Sequence, residues 1–360
     1  MPLPLHGYSP TVLTGPLGGV LADRFARRRL MVLSDVGRVV LMLLMAVVVL
    51  AGLPITLLLL LAASSSLASA PFSTCVAATV PRLVRGEDLA AANATRAGLS
   101  EASTVLGPVV GAVLLVLGPP ALAFMINAVN FGAAAALAAS MPAGRLFIPA
   151  RAKASGTVRA DLTAGYKALR AYPVARRLAT ADVLESAVYG ALTVLLLLLS
   201  QAMGAGNSGY GLLLAGYGAG GVLGALVSGR AMRRSAPRRI CVAGLLATAA
   251  MLAVLGGLST TSWLVLAIAA LIVIGGAGIV VEVQADTALQ TELPDQVFGR
   301  AYGLVLPACY AAIVAGAAAA PLLVSALGLR GGLVGFAALV AVNGLCLGRR
   351  PAMSDGPPQP

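Results

Sequence analysis

The sequence predicts an all-α polytopic membrane protein with about 11 spans, on three observations. Of 360 residues, 59% are hydrophobic and only 11% are charged, and the mean hydropathy is +0.93. A soluble domain carries about 45–50% apolar and about 25% charged residues, so this much apolar side chain requires lipid as its solvent. The apolar residues fall in long runs, and the loops between those runs alternate between basic and uncharged.

The apolar runs predict the individual spans, because a helix needs about 20 such residues to cross the hydrocarbon core. An additional run, 8–22, is short and contains Gly15 and Pro16. Ten runs are long enough to be full spans: 31–52, 54–76, 91–117, 119–140, 178–203, 209–229, 240–258, 262–285, 301–326 and 331–348.

Basic residues occupy every second loop and predict the orientation of the chain. Loops near 52–54, 118–120, 204–208 and 259–262 carry no arginine or lysine, and the loop near 327–330 carries only Arg330. Basic loops stay in the cytoplasm, so we predict a multi-pass protein of the cell inner (cytoplasmic) membrane. The proline-rich tail, 349–360, is predicted to be disordered and cytoplasmic. The basic segments are 24–29, 82–85, 141–177, 230–239, Arg300 and 349–350.

The longest basic loop, 141–177, divides the chain into a predicted N-terminal bundle, 1–140, and a C-terminal bundle, 178–348. A helical repeat of apolar residues within this loop predicts an interfacial amphipathic helix at 157–172 on the cytoplasmic face. A disordered linker is the alternative. The apolar stripe consists of Val158, Leu162, Tyr166 and Leu169, and Pro173 ends it.

An internal repeat supports two related halves. Residues 19–29 read Gly-Val-Leu-Ala-Asp-Arg-Phe-Ala-Arg-Arg-Arg, and residues 224–234 read Gly-Ala-Leu-Val-Ser-Gly-Arg-Ala-Met-Arg-Arg. Asp23 of the first copy corresponds to Ser228 of the second. Duplicated halves related by an axis along the membrane normal are typical of transporters.

The first copy resembles the signature between the second and third helices of the major facilitator superfamily, with Ala26 where the family has glycine. The resemblance implies a gate in which the acid locks the two halves in one state and releases them in the other. A glycine permits close helix approach, and an acid at the membrane edge accepts hydrogen bonds from a facing helix N-terminus. The alternative is a basic loop that only sets topology. The implied gating residues are Gly19, Asp23, Arg24, Arg27 and Arg28.

A second motif in the 91–117 span is similar to the glycine-proline motif of the fifth helix in the exporter branch of that superfamily. Two of the family's glycines are replaced, by Ser103 and Ala112. Small residues at i and i+4 permit close helix packing, and proline leaves a kink. The motif favours export, and generic small-residue packing is the alternative. Its residues are Ser103, Gly107, Pro108 and Gly111.

A third motif, Pro294-Asp295-x-x-x-Gly299-Arg300-x-x-Gly303, resembles the connection between the tenth and eleventh helices of siderophore and macrolide exporters. Arg300 is then placed to face Asp286 or Asp23 across a cytoplasmic gate. The whole resemblance runs from about residue 12 to residue 350 and implies a major facilitator fold of two helical bundles around a central cavity. By this resemblance the 8–22 run is only the end of the family's second helix, and the first helix is missing. We therefore expect either that the true start of the protein lies upstream or that the chain is a truncated paralogue.

Carboxylates inside the predicted spans are the candidate proton carriers. A charge at mid-bilayer costs about 2.5–3.5 kcal/mol on insertion scales, so such residues usually face a cavity or a partner. Glu101 lies near mid-membrane, points away from the Gly107 and Gly111 face, and has no arginine one turn away. A buried carboxyl without a fixed cation can bind and release a proton near neutral pH. Glu101 is therefore the first candidate.

Two further polar rows follow helical spacing. One belongs to the 178–203 span and the other to the cytoplasmic end of the 262–285 span. Asp182 or Glu185 is the second candidate for the proton. For every carboxyl the alternative is a structural acid paired with a neighbour, such as Asp286 with Arg300. The rows are Asp182, Glu185, Tyr189 and Thr193, and Glu282, Asp286 and Gln290.

These features together predict a secondary active transporter that couples proton entry to efflux of a hydrophobic or amphipathic small molecule, of the drug or siderophore class, by alternating access. We expect it to be a monomer with no cofactor. The four cysteines are far apart and the single histidine is His6, so no metal site is expected. The net charge of +12 lies in loops at the cytoplasmic membrane surface, so no nucleic-acid partner is expected. A truncated, non-transporting paralogue or a membrane scaffold is the alternative. The chain has no phosphate-binding glycine loop and no hydrolase motif, which argues against an enzyme and for an ion gradient as the energy source.

Overall fold

The computed structural model is all-helical in the residues that it describes, which are 21, 25–141, 158–234, 236–258 and 263–349. The predicted all-α class is confirmed. A single 3-10 turn at Gly86–Asp88 precedes α3 in this part of the chain. The helices are α1 (Arg27–Leu50), α2 (Ile55–Leu83), α3 (Leu89–Leu117), α4 (Ala121–Ser140), α5 (Val158–Ala171), α6 (Pro173–Ala202), α7 (Gly206–Arg234), α8 (Pro237–Leu258), α9 (Leu264–Glu292) and α10 (Asp295–Gly348).

Eight helices of the described part are long and apolar enough to cross a membrane. Each predicted full span coincides with one helix, except that 301–326 and 331–348 both fall in α10. That helix breaks at Gly328, where φ is +71° and ψ is 173°, a conformation that favours glycine. Of the short 8–22 run only residue 21 is described, and the tail beyond residue 349 also lies outside the described residues.

Helix α5 occupies the position predicted for the amphipathic helix and packs on α10 through small residues. Gly165 and Ala168 are buried, and a Cβ on Gly165 would lie 2.7 Å from the carbonyl oxygen of Arg300 in α10. A glycine permits this backbone contact. Tyr166, a member of the predicted apolar stripe, is 61% exposed. The stripe was expected to face the membrane interface, and that orientation stays a prediction.

The chain forms two compact units. In the first, α1 packs on α2 and α4 around Met31, Cys75 and Ala138 near one end and around Met42 and Met45 further along. In the second, α9 packs on α6, α7 and α8 around a leucine-rich core. The first comprises Met1–Val84, Leu106–Arg170 and Leu293–Ala311, and the second comprises Arg85–Val105, Ala171–Glu292 and Ala312–Pro360.

Glycines bring α7 and α9 into close contact within the second unit. A Cβ on Gly220 would overlap the backbone of Ile272, and one on Gly224 would overlap the backbone of Gly276. Small residues at i and i+4 permit this approach. Gly224 is the residue that the internal repeat aligns with Gly19, so the second copy uses its glycine for the close packing that was expected of the first.

Candidate functional site

A charge cluster in the first unit surrounds the N-terminus of α10. Asp295, the first residue of α10, accepts a hydrogen bond of 2.9 Å from Arg27 and forms an ion pair with Arg82. The Arg27 side chain is fully buried and also donates to the carbonyl oxygen of Ala78 at 2.9 Å. A carboxylate at a helix N-terminus is further stabilised by the helix dipole. The gating arginine Arg27 thus meets Asp295, an acid of the third sequence motif that was not predicted as its partner.

The other residues of the predicted gating motif are only partly described. Arg28 donates to the carbonyl oxygens of Ala138, at 3.3 Å, and Ala139, in the last turn of α4. Gly19, Asp23 and Arg24 lie outside the described residues, so the contact expected of Asp23 stays a prediction. Arg300, the predicted gate partner, is buried, with 8% of its surface exposed.

In the second unit, α3 is joined to α9 by charged and polar side chains. Arg96 pairs with Glu282 at 3.5 Å and with Asp286, whose side chain is 8% exposed. One turn earlier on α3, the fully buried amide of Asn93 donates to Thr287 Oγ1 at 3.0 Å and to Gln290 Oε1 at 2.7 Å. The predicted row on α9 is therefore engaged by α3. Arg96, which the sequence pattern did not indicate as a partner, supplies the positive charge.

Glu101 lies one and a half turns further along α3 and contacts α7. Its side chain is half-buried, and a Cβ on Gly221 would stand 2.9 Å from its Cγ and 3.1 Å from Oε2. No arginine forms an ion pair with Glu101 in the described part of the chain, and Arg96 is directed at Glu282 and Asp286. A side chain at position 221 would displace the Glu101 carboxyl from this position.

Tyr217, one turn before Gly221 on α7, is the point on which several acidic groups converge. Glu101 of α3, Glu185 of α6 and Glu282 of α9 all act electrostatically on its hydroxyl. Its ring lies 5.4 Å from that of Tyr189, centroid to centroid. Tyr217 was not predicted, although its spacing of four residues from Gly221 places both on one face of α7.

The second pair of proton candidates lies on α6, toward α8. Glu185 is 7% exposed, and its carboxyl lies within reach of the Thr248 hydroxyl. Neither Glu185 Oε1 nor Thr248 Oγ1, however, completes a hydrogen bond of normal geometry with a described residue. Asp182 is half-buried and, with Glu185, acts electrostatically on the Cys241 thiol. Thr193, the last member of this row, donates to the carbonyl oxygen of Gly190 at 2.7 Å.

The glycine-proline motif of α3 has no close neighbour among the described residues. Helix α3 continues through Pro108 without interruption, and Ser103 Oγ donates to the Leu99 carbonyl at 2.8 Å. Apart from flanking residues and the backbone of α3 itself, no described atom lies within 4 Å of a Cβ built on Gly107 or Gly111. Neighbouring Leu106 is 57% exposed. The close packing expected of this motif therefore stays a prediction.

A buried ion pair inside α1 was also missed. Asp35 is 1% exposed and accepts a hydrogen bond of 3.2 Å from Arg38. The Arg38 guanidinium lies 3.8 Å from the ring centroid of Phe131 in α4 and 5.7 Å from that of Phe72 in α2. The i, i+3 spacing of opposite charges within an apolar run was the signal that could have indicated the pair.

Comparison with known proteins identifies the architecture. The family model described as Major Facilitator Superfamily matches residues 7–316 and 178–359. No curated protein sequence matches the chain.

Several solved structures share the fold. The human organic anion transporter MFSD10 (TETRAN) superposes with a TM-score of 0.80 at 17% identity, covering 95% of this chain and 83% of that one. A bacterial homologue of the iron transporter ferroportin, in an outward-facing state, gives 0.74 at 18% identity, covering 96% and 89%. The E. coli fucose:proton symporter FucP gives 0.69 at 14% identity, also covering 96% and 89%.

Proposed function

The chain belongs to the major facilitator superfamily, and we propose that it exports a hydrophobic or amphipathic small molecule, of the drug or siderophore class, in exchange for protons. Its family and its apolar helices make it a multi-pass membrane protein with a transporter fold, as the sequence predicted, and indicate a transporter rather than an enzyme. The exporter branch, the missing first helix and the proton coupling belong to the proposal.

One observation carries the proposal: Glu101 is a half-buried carboxyl that packs on Gly221 without an arginine partner among the described residues. Arg96, the nearest arginine on α3, neutralises Glu282 and Asp286. We therefore assign these two acids a structural role and Glu101 the proton. The charged and neutral forms of such a group favour different surroundings, and this difference is what couples a proton to a conformational change.

Glu185 is the second candidate within the same proposal. Like Glu101, it interacts electrostatically with the Tyr217 hydroxyl. Its Oε1 completes no hydrogen bond with a described residue. It differs in being almost fully buried beside Thr248 of α8. A carboxyl enclosed in this way exchanges protons with solvent only after the surrounding helices move, so Glu101, which is more exposed, is the better carrier.

The gate in this proposal uses the basic end of α1. Arg27, held by Asp295 and the Ala78 carbonyl, and Arg28 are the described members of the gating motif. Gly19, Asp23 and Arg24 are its other members, and Arg300 is the proposed gate partner. Charge-assisted pairs at helix ends stabilise one conformation and are exchanged in the other. We place the protein in the inner membrane as a monomer, with its basic loops and C-terminus in the cytoplasm.

Everted membrane vesicles test this function. Respiration acidifies their interior, and uptake of a panel of hydrophobic fluorescent dyes is recorded with and without a protonophore. We expect uptake that collapses with the protonophore, and we expect Glu101→Gln to abolish it. Glu101→Gln should still exchange internal for external dye without a gradient, because neutralising the proton carrier removes coupling and leaves binding intact. Glu87→Gln is the matched control, since Glu87 is 73% exposed in the turn before α3.

Other outcomes redirect or reject the proposal. If Glu101→Gln transports normally and Asp182→Asn or Glu185→Gln does not, the proton carrier lies on α6. Transport by the wild type that is insensitive to the protonophore would reject proton coupling. A correctly inserted protein that moves no dye, alone or by exchange, would favour the non-transporting scaffold.

A further inference from the structure

Tyr217 of α7 lies between the two helices that carry the candidate proton carriers, within the second unit. Its ring lies 5.4 Å from that of Tyr189, which follows Glu185 by about one turn of α6. It also precedes Gly221, the residue that contacts Glu101 of α3, by about one turn of α7. Building on the proposed function, we propose that Tyr217 passes a proton between Glu101 and Glu185. The two carboxyls then form one relay instead of two alternative sites.

Glycines on two helices leave room around the Tyr217 hydroxyl. A Cβ on Gly278 of α9 would stand 3.5 Å from the hydroxyl oxygen, and a Cβ on Gly221 would stand 2.9 Å from Glu101 Cγ. Because neither position carries a side chain, the helices approach closely without filling the space next to the hydroxyl. Tyr217 and Tyr189 are both half-buried, so this space is not sealed inside the leucine-rich core.

The oxygens that would exchange the proton are not held by hydrogen bonds to described residues. Tyr217 Oη and the Glu101 carboxyl make none, and Glu185 Oε1 is buried and completes none. A tyrosine hydroxyl both donates and accepts, and a protonated carboxyl donates. Tyr210, two turns earlier on the same face of α7, instead donates to the Thr193 carbonyl oxygen at 3.5 Å. Of these two tyrosines, Tyr217 is the one whose hydroxyl is available to both carboxyls.

The charges around Tyr217 favour a proton on this relay over a proton on the acids of α9. Glu282 and Asp286 share Arg96 as their cation, which stabilises both as carboxylates. Glu101 and Glu185 form no ion pair with a described residue. One proton held between these two acids removes a negative charge that no arginine balances, so the relay is the favourable place for it.

A concerted transfer moves one proton and leaves the tyrosine neutral. Protonated Glu101 gives its proton to Tyr217 Oη while the original Tyr217 proton passes to Glu185 Oε1. One O–H bond breaks and one forms at Oη, so Glu101 ends as a carboxylate and Glu185 as the acid. Glu101 is half-buried and exchanges protons with solvent, whereas Glu185 is 7% exposed. Tyr217 thus gives the enclosed carboxyl a route to solvent that needs no separation of the helices.

Infrared difference spectroscopy of the full-length protein in lipid vesicles tests the relay without a transported substrate. After a jump to lower pH, the C=O band of protonated Glu185 is identified as the band that Glu185→Gln removes. Tyr217→Phe keeps the ring contact with Tyr189 and removes the hydroxyl, so we expect this band to appear about tenfold more slowly or slower still. Glu101→Gln should slow it similarly, because the first donor is gone. Tyr210→Phe is the matched control and should leave the rate unchanged.

Wild-type band kinetics in Tyr217→Phe would overturn the relay, and so would an equal slowing in Tyr210→Phe. Glu101→Gln keeps the test decisive should Tyr217→Phe fail to insert, because wild-type kinetics in Glu101→Gln would overturn the relay as well.

Dye transport in everted vesicles provides a second readout. Tyr217→Phe should lower gradient-driven uptake about tenfold and leave the exchange of internal for external dye unchanged, because only the proton step is affected. Loss of both activities would mean that Tyr217 supports the structure or contacts the dye, and would overturn the relay. A wild type that moves no dye, together with a slow Glu185 band in Tyr217→Phe, would reject the proposed function and leave the relay standing.

Discussion

Replacing Asp295 by asparagine should destabilise the first unit more than any other single neutralisation of an acid there. Asp295 balances Arg27, which is fully buried, and Arg82, which is 22% exposed. Asparagine has the same shape and can still accept one hydrogen bond, so the change removes the charge and little else. The buried guanidinium of Arg27 would keep the Ala78 carbonyl as its partner and lose its counter-ion.

The geometry sets the size of the effect. Two unit charges about 4 Å apart interact by about 4 kcal/mol at an effective dielectric constant of about 20. Asp295 is 29% exposed, so solvent reduces this value, and the retained hydrogen bond reduces it further. We expect a loss of about 2–3 kcal/mol, which includes about 0.3–1 kcal/mol for the favourable position at the N-terminus of α10. For a unit of this size the loss corresponds to a fall in melting temperature of roughly 4–12 °C.

Two buried cysteines allow each unit to report its own unfolding. Cys75 in the first unit and Cys241 in the second are both 0% exposed. With Cys309 and Cys346 changed to alanine, and one buried cysteine left at a time, a thiol-reactive fluorophore reacts only when the remaining cysteine becomes accessible. The temperature at which half of the Cys75 thiols have reacted is the Cys75 midpoint, and the Cys241 midpoint is defined in the same way. Asp295→Asn should lower the Cys75 midpoint by roughly 4–12 °C.

A double-mutant cycle separates the ion pair from other effects. Once Arg27→Met has removed the buried charge, adding Asp295→Asn should cost less than 1 kcal/mol, since the partner is gone. Glu87→Gln, an acid of the second unit in an exposed pair at 3.8 Å, is the control outside the first unit and should leave the Cys75 midpoint almost unchanged. The reasoning is refuted if the two single effects simply add, or if Asp295→Asn shifts the Cys75 midpoint no more than Glu87→Gln does.

Three further substitutions test the second unit. Gly107→Ala, in the part of α3 that belongs to the first unit, is the control for both glycines, because its methyl group would meet no described atom within 4 Å beyond flanking residues and the backbone of α3. Gly221→Ala places a methyl group 2.9 Å from Glu101 Cγ, so gradient-driven dye uptake should fall severalfold at unchanged membrane expression, and normal uptake would reject the contact. Gly220→Ala forces its methyl group into the backbone of α9 and should lower the Cys241 midpoint by several degrees. The control should leave the midpoint level or raise it, because alanine is more favourable than glycine in a helix by about 1 kcal/mol. Arg96→Gln leaves its two carboxylate partners on α9 without their cation, so we expect a lower Cys241 midpoint at pH 8 that recovers toward pH 5 as the acids become protonated. A midpoint deficit that does not change with pH would contradict that ion-pair account.

The acids of the candidate site were predictable, but most of their partners were not. Glu101, Glu185 and Asp286 stand out in a sequence because a charge within an apolar run is costly and therefore rare. Arg96 and Asn93 lie in the 91–117 span, where nothing in the sequence indicates a partner, and Tyr217 and Gly221 resemble many other residues of an apolar helix. Their importance follows only from what lies opposite them on another helix.

Hydrophobicity and charge along the chain determined the helices, their approximate ends and the lipid environment. These features can be read from a sequence because each span is an apolar run of about 20 consecutive residues bounded by polar loops. Tertiary structure decided which small residues make close contacts between helices, among them Gly165 of α5 and Gly220 of α7. It also decided the charge pairs, which join residues 190 positions apart for Arg96 with Asp286 and 268 positions apart for Arg27 with Asp295. Helical periodicity places a side chain around its own helix axis, but only the packing of the helices determines which neighbour that side chain meets.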